Sequence, residues 1–290
     1  MNKPQQLRQT ISSKGLAHVM AAHSPLSARL AEEAGFDGVW ASGFELSALW
    51  GLPDISLLSM NQHLETVRGM ADQTSLPIVA DLDTGFGNAL NVLHAVRQYA
   101  CAGVAAVVLE DKTFPKVTSL LAGGRQELVR TEEFQGKIQA ARDASVDTGT
   151  IVVARTEALI ANKGQDEALA RASAYQEAGA EMILVHSKKT TPEEIEIFSK
   201  RWHGSAPLVV VPTAYPELDE TRIRKLGNVK MVIYGNHAIR SAVTAMQSTF
   251  RQIAQEGGIK NVNSKMVTVE EIFRLQGMGK VKSDEEKYLR

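Results

Sequence analysis

The chain has 290 residues, 44% hydrophobic and 22% charged, with a formal net charge of -1. That is the composition of a soluble globular protein, long enough for two domains or one large barrel, and it offers no basic field to nucleic acid or an anionic membrane. The single cysteine, Cys101, excludes an intrachain disulfide. The N-terminus has no apolar signal core and no run is long enough to span a bilayer, so a reducing, cytoplasmic setting is expected.

In chain order, GLAHVMAAH (15–23) reads as a first strand, and SPLSARLAEEAG (24–35) as a helix with Ser24 at the N-cap and Pro25 at N1. FDGVWASG (36–43) and LPIVADLDTG (76–85) are the second and third strands. VRQYACAG-VAAVVLED (96–111) gives a helix and the fourth strand, with Cys101 read as core packing. TEEFQGKIQAARDAS (131–145) is a helix and GTIVVARTEA (149–158) the fifth strand. ASAYQEAG-AEMILVHS (172–187) supplies the sixth, after which TPEEIEIFSKRW (191–202) is a helix with Thr191 and Pro192 as N-cap and N1. PLVVVPTAYP (207–216) and IRKLG-NVKMVIYGNH (223–237) complete the set. The recurring glycines sit where a helix end needs a left-handed residue. The strands are nearly continuous in apolar residues, as in parallel strands buried on both faces.

Eight such units in about 250 residues predict an α/β (β/α)8 TIM-type barrel. A doubly wound sheet would carry a glycine-rich turn after its first strand, and MAAHSP (20–25) is no such turn. Residues 1–290 read as a single barrel domain, with 112–128 as a gating loop that starts at a charged strand end. Residues 265–290 form a helical extension with one amphipathic helix near VEEIFRLQ, packed on the barrel or on a neighbouring subunit.

In this fold the C-terminal ends of the strands face the active site. Those ends bring Trp40, Ser42 and Gly43, then Asp81 and Asp83, Glu110, Arg155, His186 and Asn236 to one rim. Carboxylates so placed repel and need a counter-charge. The bland reading is a salt-bridge network with Arg155 and Lys112. Three acids on adjacent strands, beside a DTGFG turn, favour a divalent cation, and oxygen-only ligands favour Mg²⁺ or Mn²⁺. Arg155 at the end of a core strand needs an anion, and His186 beside it suits a phosphoryl group or a proton shuttle. The residues thus predict a Mg²⁺-dependent barrel enzyme for a small anionic substrate, without choosing the bond that breaks.

ADLDTGFGN (80–88), LEDKTFPK (109–116), ARTEA (154–158) and VHSKK (185–189) resemble the phosphoenolpyruvate mutase / isocitrate lyase superfamily. The likeness extends through residues 22–43, YGNH (234–237) and VEEIFRLQ (269–276), nearly the whole chain. It implies a C-terminal helix swapped between subunits of a homo-oligomer, a dimer or tetramer. It implies Mg²⁺, with Mn²⁺ or Co²⁺ as substitutes, held by Asp81, with Asp54, Asp83 and Glu110 joining mostly through water. The substrate would be a 2-oxo acid. Trp40 would line its site, Ser42, Gly43 and Phe44 would hold its carboxylate, and Arg155, His186 and Ser119 would surround a phosphonyl group. Asp54, in GLPDIS, is an ordinary loop aspartate without the resemblance.

Lyase members carry a cysteine in the loop after Lys116; here Val117, Thr118 and Ser119 follow, so carbon–carbon lysis by that route is not expected. Mutases read Pro-Lys-Thr-Asn-Ser where this chain reads Pro-Lys-Val-Thr-Ser (115–119). Thr118 is shorter than asparagine and leaves room for a water, which it could orient together with His186. The resemblance therefore implies hydrolysis of the P–C bond of phosphonopyruvate to pyruvate and phosphate through a metal-stabilised enolate, with phosphoenolpyruvate mutation as the alternative. Lys116, Thr118 and Ser119 would travel with the gate. Water would attack phosphorus directly or after a transient adduct at Asp54.

Overall fold

The structure, a computed structural model, describes residues 1–289 apart from 120, 122 and 125. Those three positions of the expected gating loop lie outside the described residues. The chain divides into two compact units, Met1–Ile239 and Arg240–Arg290.

The first unit is a closed barrel of eight parallel strands in sequence order. Its elements are α1 (Lys3–Lys14), β1 (Ala17–Ala22), α2 (Pro25–Glu33), β2 (Gly38–Ala41), α3 (Gly43–Leu49), α4 (Met60–Gln73), β3 (Ile78–Asp81), α5 (Ala89–Cys101), β4 (Ala106–Glu110), α6 (Thr131–Ser145), β5 (Ile151–Thr156), α7 (Gly164–Glu177), β6 (Met182–Val185), α8 (Glu193–Arg201), β7 (Leu208–Val210), α9 (Glu220–Leu226) and β8 (Val229–Tyr234). The expected strands are all present. The glycines after α2, α5, α7 and α9 are left-handed, with φ of 87° at Gly35, 79° at Gly103, 108° at Gly179 and 80° at Gly227.

Side chains alternate across each strand, so the apolar runs feed two cores. One face meets the helices: Val39, Ile78, Val107, Val152, Ile183, Leu208 and Val232 pack there with Tyr99, Phe134 and Phe198. The other fills the barrel: Val19, Trp40, Val79, Val108, Val153, Leu184, Val209 and Ile233, with Leu7 of α1 in the same cluster. Each such aliphatic side chain contributes roughly 1.5–3 kcal/mol of burial.

Three local expectations are corrected. Ser24 caps α2 through the amide of Ser27, as expected, but at α8 Pro192 itself takes the N-cap position, in helical conformation and without a side-chain cap. Cys101 is exposed rather than packed. It lies one residue, and so about 100° of helix rotation, beyond Ala100, the last buried position of α5. The extension holds two helices where one was expected.

The second unit continues a helix that begins in the first, α10 (His237–Glu256), then forms α11 (Val269–Gln276) and α12 (Met278–Tyr288). Gly277, at φ 72°, ends α11 and begins α12. Phe250, Val269, Ile272, Phe273 and Leu289 of this unit are exposed. Among the described residues no helix is long and apolar enough to cross a membrane.

Candidate active site

The inward face of the barrel predicts its own mouth. Two residues beyond Trp40, Val79, Val108, Val153 and Leu184 stand Ser42, Asp81, Glu110, Arg155 and His186. Period-two alternation aims them all at the axis. Two residues further come Asp83, Lys112 and Glu157. The floor is therefore apolar and the rim charged because the strands keep their pleat while their sequence changes chemistry.

A cavity of about 70 Å³ lies at this mouth. Trp40, Ser42, Phe44, Asp54, Asp81, Lys116, Thr118, Ser119, Arg155 and His186 line it. Sequence reading missed three other lining residues, Val211, Thr213 and Gly235; it noted Asn236 at the rim without assigning it to the site. The signal for two of them was the same alternation, since Val211 follows Val209 and Gly235 follows Ile233.

On one side of the cavity acids accumulate. Gly43 donates its amide to Asp81 Oδ2 at 3.3 Å. A Cβ on Gly43 would lie 2.7 Å from Asp83 Oδ1, so only glycine lets the backbone approach these acids. Asp83 adopts φ 49°, a strained value for a non-glycine residue. Lys116 reaches in from the segment after β4, 2.6 Å from Asp83 and 2.9 Å from Asp54. Its backbone amide is held by Ser56 Oγ at 3.1 Å.

One ammonium is not enough for this group of acids. Burial pushes Asp83 up to about 8, with Asp81 and Asp54 adding to it against Lys116. Burial also raises Asp81, which Glu110 and Asp54 reinforce and Lys116 and Arg155 oppose. The acids raise Lys116 well above the usual lysine range in spite of its burial.

On the other side the charges are matched. Arg155 Nε donates to Glu157 Oε1 at 2.5 Å, and its guanidinium reaches His186 Nδ1 at 2.9 Å and Ser119 Oγ at 3.1 Å. Lys112 Nζ lies 3.2 Å from Glu157 Oε2. Although burial works against it, Glu157 is held well below the usual carboxylate range by Arg155 and Lys112. Burial and Arg155 lower His186. Arg155 can only donate to His186 Nδ1, whereas Glu157 Oε1, 3.4 Å from the same nitrogen, can only accept from it. Asp111, one residue from the rim, faces away. It accepts from Tyr175 at 2.7 Å and from Arg171 at 3.2 Å, and anchors the start of the loop.

The acidic side fits a divalent cation. Glu110 Oε1 is buried without a hydrogen-bond partner, and a buried oxygen of that kind calls for a cation or an ordered water. Among the described residues no three His, Cys, Asp or Glu side chains converge as an all-protein metal cage would. Mg²⁺ keeps several waters and takes only one or two carboxylates directly.

The family profile for phosphoenolpyruvate phosphomutase matches residues 7–254. The chain is 55% identical over 290 residues to phosphonopyruvate hydrolase of Variovorax sp. (strain Pal2), covering 100% of both. It is 46% identical over 287 residues to phosphoenolpyruvate phosphomutase of Tetrahymena pyriformis, covering 99% of this chain and 95% of that relative. A crystal structure of phosphonopyruvate hydrolase in complex with oxalate and Mg²⁺ superposes with a TM-score of 0.95 at 53% identity, covering 100% of both chains. A barrel with this rim, matched by that profile over most of its length, belongs to the phosphoenolpyruvate phosphomutase family.

Proposed function

We propose that this chain is a Mg²⁺-dependent enzyme that hydrolyses the P–C bond of phosphonopyruvate to pyruvate and phosphate. The observation that carries this reading is full-length identity of 55% to a phosphonopyruvate hydrolase. Thr118 lining the cavity where mutases place asparagine agrees with it.

Mg²⁺ would be held by Asp81, with Asp54, Asp83 and Glu110 acting through water, and supplies positive charge that stabilises the anion developing on the 2-oxo oxygen. Ser42, Gly43 and Phe44 hold the substrate carboxylate, with Trp40 beneath. Arg155 neutralises the phosphonyl oxygens. His186, which burial and Arg155 keep from protonation, contributes a hydrogen bond and is not the base. Thr118 and His186 orient the attacking water. Its oxygen bonds to phosphorus as the P–C bond breaks, and the bonding pair passes to pyruvate as its enolate. Asp54 receives the water's proton, and the enolate carbon is protonated afterwards to give pyruvate. Lys116 closes the acidic side and carries Thr118 over the substrate.

The exposed apolar residues of α11 suit burial against another copy of this chain, so we also propose a dimer or tetramer acting in the cytoplasm. Light scattering checks the oligomer. Mn²⁺ or Co²⁺ should replace Mg²⁺ in activity assays.

Phosphorus NMR of the protein with phosphonopyruvate and Mg²⁺ tests the reaction. Inorganic phosphate is the expected product. Phosphoenolpyruvate as the main product would establish the mutase instead.

A further inference from the structure

The Ser119 hydroxyl has one proton and two lone pairs, and this structure uses all three. It donates to Glu157 Oε2. It accepts from Lys112 Nζ at 2.6 Å and from Arg155 at 3.1 Å. A phosphonyl oxygen needs a donor, and the only proton Ser119 owns is already given to a buried carboxylate. Ser119 is also buried, at 6% exposure, and Lys112 and Glu157 are more deeply buried, at 2% and 0%. Lys112 makes a second bond within the segment, to the carbonyl of Val117 at 2.8 Å.

We propose that Lys112, Ser119 and Glu157 form a latch that fastens the segment 112–119 to β5 and fixes the Arg155 guanidinium. Ser119 is then a positioning residue and not a phosphonyl donor. Lys112 folds the segment back on itself through Val117, and Ser119 is the pin joining it to Glu157. Glu157 holds Arg155 through its other oxygen. Fastening the segment and orienting the arginine are one event, because one carboxylate serves both. The consequence for catalysis rests on the phosphonopyruvate reading above; the latch itself does not.

Hydrogen–deuterium exchange of the ligand-free protein tests it, followed on backbone amides of residues 112–119. Loss of a charge-assisted hydrogen bond should speed their exchange on the order of tenfold or more in Lys112→Met. Ser119→Ala, which removes only the hydroxyl and should fold readily, should speed it too. The double variant should exchange little faster than the more affected single one, since both cut the same connection. In turnover, both should raise KM for phosphonopyruvate more than they lower kcat. Unchanged exchange in Ser119→Ala would overturn the latch, and so would losses that multiply in the double variant. Should the wild-type protein fail to hydrolyse phosphonopyruvate, the function falls while the ligand-free exchange still decides the latch.

Discussion

The two sides of the barrel mouth are built from the same materials and settle their charges in opposite ways. On the β3 side Asp54, Asp81 and Asp83 share the single ammonium of Lys116. On the β5 side Lys112 and Arg155 converge on the carboxylate of Glu157, and Glu110 Oε2 lies 3.5 Å from Arg155 as well. Burial raises Asp81 and Asp83 of the first group, while cations hold the acid of the second far down. The acidic side is thus left with excess negative charge that a cation relieves. On the basic side Arg155 is paired and yet lines the cavity, where a substrate anion can also meet it. A substrate with a metal-chelating end and an anionic end fits between them, which is why neither half could specify the chemistry alone.

The two sides come apart most visibly at Asp81. Asp81→Ala should abolish Mg²⁺ affinity and lower turnover on the order of 10³-fold, since a metal contributes several kcal/mol and each 1.36 kcal/mol is tenfold. Calorimetry and steady-state kinetics check this, and an unchanged circular dichroism spectrum should show the fold intact. Arg155→Met attacks the opposite side. It should cost roughly 10²–10³ in kcat/KM, as for other donors aimed at a developing anion, while Mg²⁺ affinity persists. Loss of Mg²⁺ affinity in Arg155→Met would mean the two sides are not separate devices.

Thr118→Asn acts where the two sides meet. Hydrolysis should fall by roughly tenfold, the value of one hydrogen-bonded water lost, with phosphoenolpyruvate appearing in phosphorus NMR. The smallest expected effect concerns a group outside both clusters. His63 is buried, bonded to Tyr99 at 2.7 Å, and burial, with Lys116 assisting, lowers it to about 3. The folded state therefore refuses a proton that the unfolded chain accepts at about 6.5. Stability from this group is complete above that value and is lost as pH falls from about 6.5 toward 3. Thermal melts should show a shallower decline over that window in His63→Gln than in the wild type.

Much of the site was legible because a barrel converts strand pattern into position. Asp81, Arg155 and His186, which line the cavity, could be named simply by reading where apolar runs end, and so could Glu110 beside them. Asp54 was not, because it sits in a loop without periodicity, and only likeness to a family pointed to it. Lys112 and Glu157 were visible as strand-end charges, but no sequence pattern says that they meet each other across Ser119. Cys101 was misplaced because a one-residue step around a helix separates core from solvent.

By itself the sequence determined the barrel, its eight strands and the ring of charged residues at one end, because hydrophobic periodicity and strand pleat are local properties. Only the tertiary structure decided which charges would pair. Ion pairing and the cost of burial depend on distances between residues far apart in the chain, so Lys116 facing the acids of β3, and Glu157 holding Lys112, Ser119 and Arg155 together, follow from closure of the cylinder and from nothing shorter.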